Sequence, residues 1–207
     1  MMPQYRDQEA EWVGGTGAHA PVVHRSCGYR VDEEERAMVA SVVFVCTGNI
    51  CRSVTAERVL QRHLECSGAE AVVDSAGISD EEVGNPIDPT QARVLKAAGY
   101  RTEDHVARQI TPEWLADRDV AIAMTCRHYR ALQNLIADLP AEVRPQLRML
   151  REFDPRAAQE TTVDAPAPDV VDPWAGQLKD FEETLETIEM SVPGLTDYLH
   201  SSAEQTR

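Results

Sequence analysis

The strongest hydrophobic signal in the chain is the run Ser41 to Val45 (SVVFV). It is continuous rather than alternating and rich in β-branched residues, which marks a strand buried on both faces. Ala56, Val59, Leu60, His63 and Leu64 then recur at helical spacing. Ala71 to Ser75 (AVVDS) reads as a second strand, Val120 to Met124 (VAIAM) as a third, and Val143 to Met149 holds a short fourth. Asp88-Pro89 offers an N-cap with proline at the first helical position, and Gly99 can close that helix. Thr111-Pro112 repeats the start signal, and Tyr129, Leu132, Leu135 and Ile136 give the next helix a face. A long proline-bearing loop spans about 151–176, a length that often carries function in a compact domain. Phe181, Leu185, Ile188, Val192, Leu195 and Leu199 form the apolar stripe of a final helix.

Strand–helix alternation with short connections predicts an α/β fold. The expected architecture is a single domain with a doubly wound, four-stranded parallel sheet flanked by helices, flavodoxin-like. The domain is expected over 38–203, with a four-residue tail at 204–207 and a flexible extension at 1–37. Met38 stands just before the first strand and is a possible alternative start. GGTG (Gly14 to Gly17) has no strand before it and does not make a nucleotide site.

Hydrophobic residues make up 43% of the 207, enough for a core of this size. No apolar run reaches a membrane span and the N-terminus has no secretory pattern, so the expected compartment is the cytoplasm, without membrane insertion. The formal net charge is −15, and residues 152–207 hold thirteen Asp/Glu against three Lys/Arg. Such a surface repels a phosphate backbone, which argues against nucleic acid as a partner. The five cysteines are an odd set without C-x-x-C spacing, so neither a disulfide framework nor a zinc site is expected. His19, His24 and Cys27 lack a fourth ligand. No metal or other cofactor is expected, and nothing in the pattern sets an oligomeric state.

In parallel sheets, sites form where strands end. The first strand runs into Cys46-Thr47-Gly48-Asn49-Ile50-Cys51-Arg52-Ser53 and then a helix. Five residues between a cysteine and an arginine let the backbone curl, N–H groups inward, into an anion nest beside a helix N-terminus. Arg52 closes the ring with a fork suited to two phosphate oxygens. Cys46 sits beneath as a thiolate nucleophile, and Ser53 can donate its hydroxyl to the sulfur. A buried structural thiol is the plainer reading of Cys46. The preceding strand, the following helix, and the Gly, Asn and Ser around it favour chemistry. A leaving oxygen also needs a proton, and the long loop offers Asp154, Asp164, Asp169 and Asp172.

VFVCTGNICRS resembles the phosphate-binding loop of low-molecular-weight protein tyrosine phosphatases, bacterial type. The similarity spans about Val42 to Tyr198. It takes in DSAGI (Asp74 to Ile78), VGNPIDPTQARVLKAAGY (Val83 to Tyr100), HVARQIT (His105 to Thr111), MLREFDP (Met149 to Pro155) and VDPWAGQLKDFEETLETIE (Val171 to Glu189). The resemblance implies a four-stranded parallel sheet and hydrolysis of phosphomonoesters through a phosphocysteine. It implies Cys46 and Arg52 as catalytic groups and selects Asp172, in VDPW, as the acid. It further implies Ser75 holding Asn49, His105 supporting the loop, Trp174 as a substrate wall, and a reversible Cys46–Cys51 disulfide.

The chain departs from the family pattern in places. Val54-Thr55 follow CRS, Glu81 stands where an aromatic is common, Ala175 replaces a second aromatic, and Thr125 replaces an acid. The expected partner is a phosphorylated protein carrying phosphotyrosine. A small non-aromatic phosphoester such as a sugar phosphate, and a non-catalytic phosphate-binding module, are the alternatives. Ile50 in place of threonine argues against an arginine phosphatase, and the lack of a further cysteine pair argues against an arsenate reductase.

Overall fold

The computed structural model describes residues 41–157 and 167–205. The extension at 1–37, the trio His19, His24 and Cys27, and Asp164 lie outside them. Four strands form one sheet: β1 (Val42–Cys46), β2 (Val73–Gly77), β3 (Val120–Ala123) and β4 (Gln146–Met149). Their order is β2-β1-β3-β4 and all pairs are parallel. β1 is central, so both of its faces are covered, which is why its sequence lacks alternation. Val42, Phe44 and Cys46 enter one apolar cluster with α1 (Arg52–Ser67) and α5 (Leu178–Gln205). Val43 and Val45 enter the other, which contains Leu115 of α3 (Pro112–Ala116) and Leu132 of α4 (Cys126–Leu135).

Helix starts follow local chemistry. Asp88 accepts from the Thr90 and Gln91 amides at the head of α2 (Pro89–Ala97), with Pro89 opening the helix. Thr111 and Thr125 cap α3 and α4 in the same manner. Thr125 therefore serves as a cap where the resemblance led one to expect a carboxylate. α1 differs: no side chain caps its N-terminus, which leaves its first amides for another acceptor.

β2 lies two residues later than its hydrophobic centre predicted, because Val72 is an exposed approach to the strand. The stripe from Phe181 to Leu199 is buried along α5, which continues through Pro193. That proline removes one ladder bond, but the stripe is buried on both sides of it. The helix reaches Gln205, past the position where the sequence placed the domain's end. Among the described residues, no helix is long and apolar enough to cross a membrane.

Candidate active site

The turn from β1 to α1 is fastened at several points. The Ile78 and Ser79 amides donate to the Cys46 and Thr47 carbonyls at 2.9 and 3.0 Å. Gly77 permits this approach: a Cβ there would lie 2.5 Å from the Thr47 carbonyl oxygen. Ala at position 77 must push loop backbone aside, so Gly77→Ala is expected to weaken inorganic phosphate binding. It should also cost about 1–3 kcal/mol of stability by overpacking. Phosphate titration and thermal unfolding of the variant check both.

Asn49 is the hub of the loop. It is fully buried with φ +60°, a left-handed conformation that asparagine tolerates. Its side-chain amide donates to Ser53 Oγ at 3.0 Å and Ser75 Oγ at 2.8 Å, and its Oδ1 accepts from the Arg108 amide at 3.0 Å. His105 Nε2 lies 2.7 Å from the Asn49 carbonyl, so the ring nitrogen is the donor. Burial lowers the His105 pKa, with the Asn49 bond acting in the opposite sense. Ser75 Oγ in turn donates to Glu57. Because both serine oxygens accept from Asn49, the Ser53 hydroxyl hydrogen is free for Cys46 Sγ, 3.0 Å away. The Asn49 amide also approaches Sγ, at 3.3 Å.

The N–H groups of Thr47, Gly48, Ile50 and Cys51 find no acceptor among the described residues. These residues line a cleft of about 210 Å³ together with Cys46, Arg52, Glu81, Glu82, Asp172 and Trp174. Arg52 is 4% exposed, and its Nε has no partner among the described residues. Its terminal nitrogens reach Asp172 and, at 3.5 Å, the Val170 carbonyl. Backbone amides without acceptors and a buried guanidinium line a cavity suited to a compact oxyanion. Arg52 and the amide nest supply positive charge to the cleft.

The acid candidates separate by environment. Asp154 is buried and held by Arg156 at 3.1 Å. Asp169 accepts from the Cys126 amide at 2.7 Å, at the head of α4. Asp172 faces the cleft beside Arg52, with its other oxygen accepting from the Trp174 amide at 3.2 Å. Trp174 is 68% exposed and lines the cleft, with Glu81 and Glu82 completing the lining. Of the described acid candidates, Asp172 lines the cleft with the loop, Glu81 and Trp174, while Asp154 and Asp169 do not.

Two supports escaped sequence reasoning. Glu57 lies on the Ser53, Leu60 and Leu64 face of α1 and accepts from Ser75 and from Gln61 Nε2 at 3.3 Å. A carboxylate on an otherwise buried stripe was the available signal. His128, 1% exposed and one turn before Leu132, places Nε2 3.0 Å from Thr47 Oγ1. Burial, then Arg52 and Arg127, push its pKa down to about 3. Below the unfolded value of about 6.5 the unfolded chain binds a proton that the native ring refuses. Stability is therefore expected to erode as pH falls from about 6.5 towards about 3. Melting temperature against pH checks this, and His128→Gln should flatten the slope.

A family model, low molecular weight phosphotyrosine protein phosphatase, matches residues 41–205. The chain is 42% identical over 160 residues to low molecular weight protein-tyrosine phosphatase A of Mycobacterium tuberculosis, covering 76% of this chain and 90% of that one. It is 38% identical over 170 residues to the low molecular weight protein-tyrosine-phosphatase of Streptomyces coelicolor, covering 81% and 98%. Among solved structures, it resembles the low molecular weight protein tyrosine phosphatase of T. tengcongensis with a TM-score of 0.65 at 28% identity, covering 77% and 99%. The chain belongs to the low molecular weight phosphotyrosine protein phosphatase family.

Proposed function

We propose that the chain hydrolyses phosphotyrosine in proteins, with Cys46 as nucleophile, Arg52 as phosphate anchor, and Asp172 as acid and then base. The carrying observation is the convergence of Cys46, unpaired loop amides, Arg52 and Asp172 on one cleft. The Cys46 thiolate attacks phosphorus in line, forming S–P as the ester P–O bond breaks. The loop amides and Arg52 stabilise the equatorial oxygens, and Asp172 delivers a proton to the leaving phenoxide. Water then attacks phosphorus, Asp172 takes its proton, and the S–P bond breaks. Ser53 donates to the departing sulfur along the direction set by Asn49. Phosphate and Asp172 compete for Arg52, so substrate entry releases the carboxyl towards the leaving oxygen.

Both relatives carry protein-tyrosine phosphatase names, and the small-phosphoester reading is not favoured. Phosphate release from phosphotyrosine peptide, phosphoarginine and a sugar phosphate, measured side by side, tests the assignment. The peptide should be turned over far faster than the other two; preference for either of them would contradict it.

Cys51 extends the reading to redox protection. Cys46 and Cys51 are free thiols in one loop, and burial, with Asp88 nearby, pushes the Cys51 thiol up. Peroxide converts Cys46 to a sulfenic acid, which Cys51 condenses to a disulfide with loss of water. A high thiol pKa makes Cys51 a slow attacker at neutral pH. The Cys46–Cys51 linkage is therefore expected to form faster as pH rises, as read by mass spectrometry.

A further inference from the structure

The cleft has two electrostatic levels. Among the described residues, Arg52 is the one cationic side chain in the lining, and its unpaired Nε and the free loop amides call for an oxyanion. That fixes which end of a substrate goes inward. On the exposed side the charge reverses: Asp172 is paired with Arg52, Glu81 and Glu82 complete the lining, and Trp174 adds an exposed aromatic face.

These carboxylates are held in place by backbone. The segment carrying them is tied to the loop by the Ile78 and Ser79 amides, and the Glu81 amide donates to Ser79 Oγ at 3.2 Å. Gly84 and Asn85 bond to Ala107, at 2.9 and 2.8 Å. The Glu82 stem packs on the loop itself: a Cβ at Gly48 would fall 2.7 Å from Glu82 Cγ. The Glu82 carboxylate has a neutral partner, Asn85 Nδ2 at 2.7 Å, and Glu81 makes no ion pair among the described residues. Both charges therefore remain uncompensated where the polypeptide beside a bound phosphotyrosine must lie.

We propose that Glu81 and Glu82 make this mouth selective for phosphotyrosine segments with Lys or Arg beside the phosphorylated residue, and adverse to segments with Asp or Glu there. This rests on the phosphotyrosine reading of the Cys46 site. An exposed charge pair is worth up to about fivefold in affinity. Attraction for one class combined with repulsion of the other gives about tenfold or more between them. The Trp174 face adds a cation–π surface for the same basic side chains. The selectivity is electrostatic at an exposed rim, so salt must weaken it.

The test compares kcat/KM for length-matched phosphotyrosine peptides with basic, neutral and acidic flanks, with p-nitrophenyl phosphate alongside. Wild type and the Glu81→Gln/Glu82→Gln double variant are assayed at about 0.05 M and about 0.5 M salt. The expected result is a basic-over-acidic preference of about tenfold at low salt, shrinking towards equality at high salt and in the variant. Should the double variant fail to fold, the salt series on wild type and the single Glu81→Lys variant, expected to invert the preference, carry the test. Equal or acid-favouring rates at low salt, with p-nitrophenyl phosphate still hydrolysed, would overturn the selectivity alone. No hydrolysis of any of these esters by wild type would overturn the phosphatase reading and the selectivity with it.

Discussion

Cys46→Ser is expected to reduce turnover of phosphotyrosine peptide by about ten-thousandfold or more, about 5.5 kcal/mol of barrier. The hydroxyl is isosteric enough to keep the loop closed. It replaces a sulfur that lies 3.0 Å from Ser53 Oγ, beneath the same amides. What it lacks is sulfur's nucleophilicity, because a serine hydroxyl attacks phosphorus far more weakly than a cysteine sulfur does. Binding should survive, since Arg52 and the free amides hold the phosphate and do not depend on sulfur. Retained phosphate affinity with lost turnover distinguishes this outcome from a collapsed site. Near-normal turnover by the serine variant would remove Cys46 from the reaction.

Asp172→Ala should lower turnover of phosphotyrosine peptide by about a hundred- to ten-thousandfold, the usual contribution of a positioned acid. The loss depends on the leaving group. A phenoxide of ordinary basicity needs the proton, whereas p-nitrophenoxide departs more readily without it, so the defect should be smaller for p-nitrophenyl phosphate. The ion pair with Arg52 adds a second signature. Removing the carboxylate leaves the guanidinium uncontested, so inorganic phosphate should bind as tightly as to wild type or more tightly. Equal losses in turnover and phosphate affinity, with no dependence on the leaving group, would instead make Asp172 a structural partner of Arg52.

Much of this site lies in one continuous stretch, and that stretch was readable. The uninterrupted apolar run of β1 announces a central strand, and Cys46 to Ser53 follows it without a gap in sequence or in space. Asp172 was only partly legible. Loop composition offered several aspartates, and resemblance chose among them. What separates the aspartates in space was not in the sequence: Arg156 holds Asp154, the Cys126 amide holds Asp169, and Asp172 lines the cleft. β2 was misplaced by two residues for a related reason. Asp74 and Ser75 are polar because they pair with Arg118 and Asn49, which shifts the strand's hydrophobic centre towards its N-terminus. Glu57 and His128 were missed because periodicity records that a face is buried and not what lies opposite it. Their partners, Ser75 and Thr47, come from other segments, 18 and 81 residues away in the chain.

The most direct test is to trap the covalent intermediate. Wild type mixed with a phosphotyrosine substrate is quenched in acid within one turnover, digested, and the peptide containing Cys46 weighed and fragmented. The expected result is one added phosphoryl group on the Cys46 sulfur, absent in Cys46→Ser. Full turnover with the phosphoryl group on another residue, or on none, would contradict the nucleophile on which the mechanism stands.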